Sequence, residues 1–344
     1  MKKSLPSACL SSARLRGIVA TVALAWSLPF GAQAQTYQTW RSEASSGNFI
    51  SFGNWYNFTT SSNDTFQFGQ QEWDNNIYTF QTNNNSGNTL STWRWLFKAN
   101  ASSVHTFSGD AVRFSDFSTQ DPSIINQSSA THIINMNLEA DGDSGDPLNI
   151  QIDNNSGGGL TFGGSVNNQG SVINVIGTAA SAATVRFNGA VTGSGGMYVN
   201  NGNVTVLFDA ANTQSGQLTI NAGTVRLNSA GDTFGATNQA IRIGTNATVD
   251  LNNVSTTVGS VAEEGSGDGG SINLGSGTLT VTADAGNLYQ NSISGTGGLT
   301  KQGAHTLNLY GTQNFTGTTT VSAGRLSTAV AMSSTSFVID GGTL

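Results

Sequence analysis

Three carboxylates and a serine crowd into one short stretch, DGDSGDPLN, from Asp141 to Asn149. Two chemistries fit those residue types. GDSGDP differs by one residue from the GDSGGP that surrounds the nucleophilic serine of one class of proteases, which makes Ser144 a candidate nucleophile. Asp141, Asp143 and Asp146 also place three hard oxygen ligands in a short loop, the donor type that calcium takes. A serine nucleophile needs a histidine base and an acid to orient it, and the chain has only His105, His132 and His305. His132 lies 12 residues before Ser144 and His105 only 39, too few to build a barrel that would bring base and nucleophile together from distant strands. Asp146 also stands where that motif has a small residue. The calcium frame fails as an EF-hand, because Gly145 precedes Asp146 and the twelfth position is Ile152 rather than Glu. A calcium turn of another kind and a plain polar turn, in which Gly and Asp serve backbone geometry, both remain open.

A second candidate is aromatic. All five tryptophans after residue 34 (Trp40, Trp55, Trp73, Trp93 and Trp95) fall between residues 35 and about 118, in strings such as TWRWLF and TFQFG. Flat apolar ring faces suit the C–H faces of a saccharide, so Trp55, Trp73, Trp93 and Trp95 form a candidate sugar platform. The competing reading is a cap whose bulky side chains fill the end of a repeat array. Other motifs carry less. GSGDGG at Gly265 to Gly270 stands alone rather than in a calcium-binding series, and the GxGG elements are followed by no helix that would present its N-terminus to a phosphate. Lys301 falls in a predicted strand and is no phosphate-loop lysine. Glu263 and Glu264 are adjacent, so on a strand they face opposite sides. The sequence names no cofactor and no catalytic set.

The elements that would hold these residues follow from composition. Lys2, Lys3, Arg14 and Arg16 precede the apolar run Gly17 to Gly31, and AQA follows at Ala32 to Ala34. This reads as a secretory signal cut before Gln35, with an apolar run too short to span a bilayer. The sole cysteine, Cys9, leaves with it, so the remaining 310 residues must hold together without disulfides. Those residues keep 9 basic and all 20 acidic side chains, a net charge of −11 that argues against nucleic acid and anionic membrane surfaces as partners.

Gly193 to Leu227 and Gly295 to Leu326 repeat one another. Each reads GxGG, then an alternating strand, a polar turn ending at Gly216 or Gly317, a second alternating strand, and an Ala-Gly turn at Gly223 or Gly324. Weaker copies lie between, at Gly244 to Leu251 and Gly275 to Val281. Strands of four to six residues with apolar side chains at every second position predict an all-β chain. A single pair of such strands buries nothing, so coils must stack, and stacking short strands in register gives a single-stranded parallel β-helix with inward rows of Val, Ile and Leu, including Leu307 and Val321, and outward ladders of Thr and Asn. At about 20 to 25 residues per coil, the 310 residues predict roughly 12 to 15 coils.

The spaced elements GxGG(L/M), TLxL, the (T/S)G turn and (T/I)VxAGxL resemble the autotransporter-associated β-strand repeat of bacterial passenger domains. That resemblance implies a right-handed β-helix, exported and shown at the cell surface or released there by a separate C-terminal translocator barrel. No series of amphipathic barrel strands occurs here, and the pattern stops at Phe337 to Leu344 where another strand is expected, so the chain is expected to continue. The expected organisation is a signal peptide at 1–34, an aromatic-rich β region or cap at 35–118, and passenger repeats at 119–344. The expected function is a non-catalytic, rigid adhesive stalk, with a glycan or another cell-surface group as partner and no membrane insertion of this segment. The alternatives are a carbohydrate-active β-helix enzyme, which would gather Asp209, Asp250 or Asp284 with an arginine on one flank, and a secreted glycan-binding rod.

Overall fold

The computed structural model describes the strands Thr36–Trp40, Trp55–Tyr56, Asp64–Phe68, Phe80–Asn84 and Leu90–Thr92, and then residues 92–344 except 100, 102–103, 117–120, 141–145, 155, 266–269, 283–286 and 290–291. The signal sequence and Ser144 lie outside the described residues. Every regular element among the described residues is a strand, and none of them forms a helix long and apolar enough to cross a membrane.

The strands wind into a parallel β-solenoid with three strand ladders. On the first face Asp64–Phe68 pairs with Arg94–Phe97, then in turn with Ser123–Asn126, Leu148–Ile152 and Ile173–Ile176, each in parallel. The second face runs through His105–Gly109, His132–Ile134, Leu160–Phe162 and Ala183–Phe187. Val112–Phe114, Leu138–Ala140, Val166–Asn167 and Val191–Thr192 make the third. Met197–Phe208, Leu218–Leu227 and Ala240–Asp250 run through the corner between the first two faces and join them into one sheet.

Coil length falls along the chain. Arg94 lies 29 residues from its neighbour Ser123 one coil on, Asn149 lies 25 from Asn174, and Thr318 lies 18 from Ser336. The expected period therefore holds in the middle, is exceeded in front and is undercut at the end. The front strands join the same ladder: Thr36–Trp40 pairs in parallel with Asp64–Phe68, which pairs through Arg94–Phe97 with Ser123–Asn126. Trp40 and Trp55 sit in an antiparallel pairing instead.

Alternation places every second side chain inside. Leu148, Ile173, Met197, Leu218 and Ile241 stack in one column and Ile150, Val175, Val199, Ile220 and Ile243 in the next, all fully or almost fully buried. A column of rings, Phe162, Phe187 and Phe208, fills the second face, with centroids 5.0 and 5.7 Å apart. Each such aliphatic or aromatic side chain contributes roughly 1.5 to 3 kcal/mol by leaving water. Without disulfides these columns carry the stability. Leu307 and Val321 point inward as the alternation predicts, 1% and 0% exposed.

Glycine in the repeat has two separate jobs. The first glycine of GxGG takes a positive φ, +106° at Gly193 and +117° at Gly295, which a side chain rarely tolerates. The third residue of the motif sits where coils approach too closely for any Cβ. One built on Gly195 would lie 1.8 Å from the Ser171 carbonyl oxygen, and one on Gly297 would lie 1.8 Å from that of Gly277. The turn glycines join the same columns, Gly216 against Gly195 and Gly317 against Gly297.

Both copies of the repeat have this chemistry but occupy different faces. In the first copy, 197–199 and 204–208 lie on the first and second faces. In the second, Leu299–Lys301 lies on the third face, and Thr306–Leu309 lies on the first, in the ladder that continues through Asn287–Tyr289 from Ser260–Glu263.

Corners carry buried amides. The Asn168 side chain donates to the Gly195 carbonyl at 2.8 Å and accepts from its N–H at 2.9 Å, while Asn212 accepts from the Val191 N–H at 2.7 Å and donates to the Thr233 carbonyl at 2.6 Å. They satisfy backbone groups that turn away from the ladders and would otherwise be buried unpaired. The outward ladders also form, as in Asn174 to Asn149 at 3.0 Å and Asn149 to Asp121 at 3.1 Å.

Two substitutions test this packing by thermal and denaturant unfolding. Leu307→Asp should lose at least about 3 kcal/mol by burying an unpaired charge. Gly297→Ala should be clearly destabilising, whereas Gly202→Ala, whose added methyl would meet nothing within 4 Å, should change stability by no more than about 0.5 kcal/mol.

Candidate functional site

The candidates read from sequence do not come together as one site. Asp141, Asp143 and Ser144 lie outside the described residues, as does Trp73; Trp55 is described in its backbone alone. Among the described residues no group of three His, Cys, Asp or Glu side chains is arranged to hold a metal ion. The sugar platform is corrected at two positions: Trp93 and Trp95 are 1% and 0% exposed and present no ring face to a saccharide. Trp95 packs against Phe107 at 4.9 Å and Phe114 at 5.6 Å inside the coil, and the Arg94 guanidinium covers the Trp93 ring at 4.3 Å. Both sides of this segment are buried, so alternation of aromatics did not identify an exposed face.

The strongest polar constellation is on the outside of the second face. Arg186 there is followed, one coil on, by Asp209. Arg186 donates through Nη2 to Asp209 Oδ2 and through Nε to Asn188 Oδ1 at 2.6 Å. Asp209 Oδ1 also accepts from Asn228 at 2.9 Å and Ser229 Oγ at 3.3 Å. The neighbouring unit repeats the plan: Arg226 Nε lies 3.4 Å from Asp250 Oδ2, its Nη2 donates to Asn252 at 2.6 Å, and Asn273 donates to Asp250 Oδ1 at 3.1 Å. Asp209 and Asp250 thus do lie with arginines on one flank.

Their surroundings determine what these carboxylates can do. The hydrogen bond from Arg186 comes first, with those from Asn228 and Ser229 and the guanidinium charge beside them, and together they hold the Asp209 carboxyl below its ordinary range despite some burial. A carboxylate so held does not carry a proton at neutral pH and cannot act as a general acid. The same arrangement recurs elsewhere. Arg113 pairs with Glu139 at 3.2 Å and Arg242 with Glu264 at 3.9 Å. In all four pairs the acid lies one coil beyond its arginine, so these charges tie each coil to the next.

A third group was not anticipated. Ser128 Oγ lies 2.8 Å from His132 Nε2, and His132 Nδ1 lies 3.3 Å from His105 Nδ1 and accepts the His105 backbone N–H at 3.1 Å. Serine beside histidine suggests a nucleophile and its base, but the tautomer opposes it. Because His132 Nδ1 is an acceptor, the ring proton sits on Nε2 and is donated to Ser128 Oγ, the reverse of base catalysis. Ser128 in turn donates to Asn126 Oδ1 at 2.8 Å. Ser128 and His132 are fully buried, and burial, with His105 beside it, pushes His132 down to about 2. The group is a buried hydrogen-bond network around a neutral His132. Sequence spacing offers no signal for it, since His105 and His132 are 27 residues apart and meet only because that is the local coil length.

Lys301 is the remaining surprise. It takes an inward place between Val281 and Val321 in the third-face ladder, is fully buried, and reaches the carbonyls of Gln302 and, at 2.8 Å, Gly303. Its stem packs as a hydrophobic side chain while the ammonium turns to backbone oxygens at the corner.

Comparison with known proteins fits this architecture. The passenger-associated-transport-repeat family matches residues 205–227 and 299–327, the stretches that carry the strands and Ala-Gly turns of the two clearest repeats. A curated relative, the adhesin BmaC autotransporter of Brucella suis biovar 1 (strain 1330), is 29% identical over 179 residues, covering 47% of this chain and 5% of the relative. The chain therefore spans a small fraction of that protein's length. No solved structure matches.

If Arg186 and Asp209 act as a coil-to-coil tie, a double-mutant cycle with Arg186→Met and Asp209→Asn should give a coupling of about 0.2 to 1 kcal/mol, modest because both side chains meet solvent. Because Asp209 is held below its ordinary carboxylate range, the coupling should be present above that range and disappear as pH falls through the folded-state value. Urea unfolding of the four variants at pH 7 and at steps downward from the ordinary carboxylate range reads both.

Proposed function

We propose that this chain is part of the exported passenger of an autotransporter-like surface protein, a non-catalytic rod that supports or forms an adhesive surface. The observation that carries the reading is that the family-matched repeats lie within one parallel solenoid. Its inner columns supply rigidity without disulfides, and the arginine–carboxylate pairs among the described residues join successive coils. The relative's name, an adhesin autotransporter, supports an adhesive end use. Export belongs to the leader at 1–34, and surface anchoring to a translocator barrel elsewhere in a longer protein. A rod of this kind acts by geometry: its outward side chains and loops meet a glycan or another cell-surface group at a fixed distance from the membrane.

One observation favours a second reading, a carbohydrate-active enzyme: Asp209 and Asp250 share a flank with Arg186 and Arg226. The hydrogen bonds on Asp209 weigh against it, since they hold that carboxyl below its ordinary range and paired carboxylates in glycoside hydrolysis require one that carries a proton.

The test is display. Residues 35–344 joined to an outer-membrane translocator barrel should become sensitive to external protease on intact bacteria and should raise adherence to host cells or glycan-coated surfaces above that of the barrel alone. Display without added adherence would leave a spacer, and failure to reach the surface would overturn the passenger reading. Release of reducing ends or unsaturated sugars from polysaccharide, lost in Asp250→Asn, would establish the enzyme instead.

A further inference from the structure

We propose that His105, His132 and Ser128 form an acid-opened latch in the front of the solenoid, so that mild acid unwinds the coils around residues 94–162 while the repeats behind them stay wound. This goes beyond the passenger reading and does not depend on it.

The argument rests on where hydrogen-bond donors and acceptors face one another. His132 Nδ1 accepts the His105 backbone N–H, and its Nε2 faces Ser128 Oγ. The ring lies flat on Phe97, with centroids 4.0 Å apart and planes 14° from parallel. A proton added to His132 has one place to go, Nδ1, and there it would point at the backbone N–H 3.1 Å away. There it would face that N–H donor in a dry site, with His105 Nδ1, 3.3 Å off, as the one competing acceptor and at a length too great for a strong bond. The wound coil therefore disfavours the cation, whereas the unwound coil accepts it in water.

Among the described residues of the adjoining strands, none carries a negative charge to offset that cation. The strand His132–Ile134 lies between His105–Gly109 and Leu160–Phe162, and of their side chains His105 alone is of an ionisable type. Phe80–Asn84, which flanks His105–Gly109 on the other side, reads FQTNN and has no ionisable residue. On the strand of Phe97, Arg94 bonds Ser123 Oγ and covers Trp93. The turn that holds Ser128 supplies Asn126 and Ala130.

Losing the His132 contact should spread locally. Ser128 and Asn126 share two hydrogen bonds of 2.8 Å, and the Asn126 amide donates to the Gly159 carbonyl in the next coil at 2.8 Å. The turn, the strand and the adjacent coil are thus one connected unit. A solenoid contacts itself only between neighbours, so a front section can open without the rear.

The sign follows from linkage. A histidine kept neutral by the folded state stabilises that state fully above its unfolded pKa near 6.5, and each pH unit below that value favours the open form by up to about ten-fold. Between pH 7.5 and pH 5 the effect is separated from most carboxylate titration. Hydrogen exchange with mass spectrometry across that range, corrected for intrinsic rates, is the experiment. Expected is a rise of up to about ten-fold per unit below pH 6.5 in the opening of 105–109 and 132–134, with 204–227 unchanged. His132→Phe, which keeps the stack on Phe97, should flatten that rise, and His305→Gln, at an exposed position, should leave it intact. If His132→Phe does not fold, His132→Gln and the front-to-rear contrast in the unaltered protein still decide. Flat exchange at 132–134 down to pH 5, an equal rise in front and rear, or an unflattened rise in a folded His132 variant would each overturn the latch.

Discussion

Backbone hydrogen bonding between successive coils is the constraint on which the structure depends. A strand of three to five residues has no partner within its own turn of the chain, so its N–H and C=O groups must meet those of the coil above and below, about 4.8 Å away. That spacing fixes the rest. It leaves no room for a Cβ at Gly195 or Gly297 and brings apolar residues of successive coils into columns. At corners, where the ladders break, it calls for amides such as Asn168 and Asn212 to bridge the gap. Glycine and asparagine are abundant here because of this geometry and not because the chain is loose.

The same spacing explains the use of charge. Side chains one coil apart on an outer face are neighbours, so an arginine and an acid placed a coil apart satisfy each other. Arg113, Arg186, Arg226 and Arg242 are all used in this way. A low content of charge leaves few such groups, and among them Asp209 is held below its ordinary range by its hydrogen bonds.

Much of the fold was legible in the sequence because the repeat states it locally. GxGG, alternation and the Ala-Gly turn are all contained in about thirty residues, and they place Leu307 and Val321 inside correctly. What was not legible depended on coil length. Partners across coils are separated by 29 residues in front and 18 at the end, so no fixed interval pairs Arg186 with Asp209 or His105 with His132. Trp93 and Trp95 misled for a different reason: an aromatic string identifies a strand but not which of its sides is covered, and here the segment is buried on both. Lys301 broke the rule that charge faces out, because its long stem lets an inward position reach carbonyls at the corner.

The two clear copies of the repeat use different pairs of faces, first and second in one, third and first in the other. The motif thus encodes a strand, a corner and a strand, without specifying a compass direction. The three faces are interchangeable hosts for it. Loops that follow the motif at equivalent sequence positions therefore emerge roughly a third of a turn apart around the axis. Copies of one cassette can in this way place their loops on several sides of the solenoid, and sliding the pattern by one face changes that angular spread without inventing a new motif.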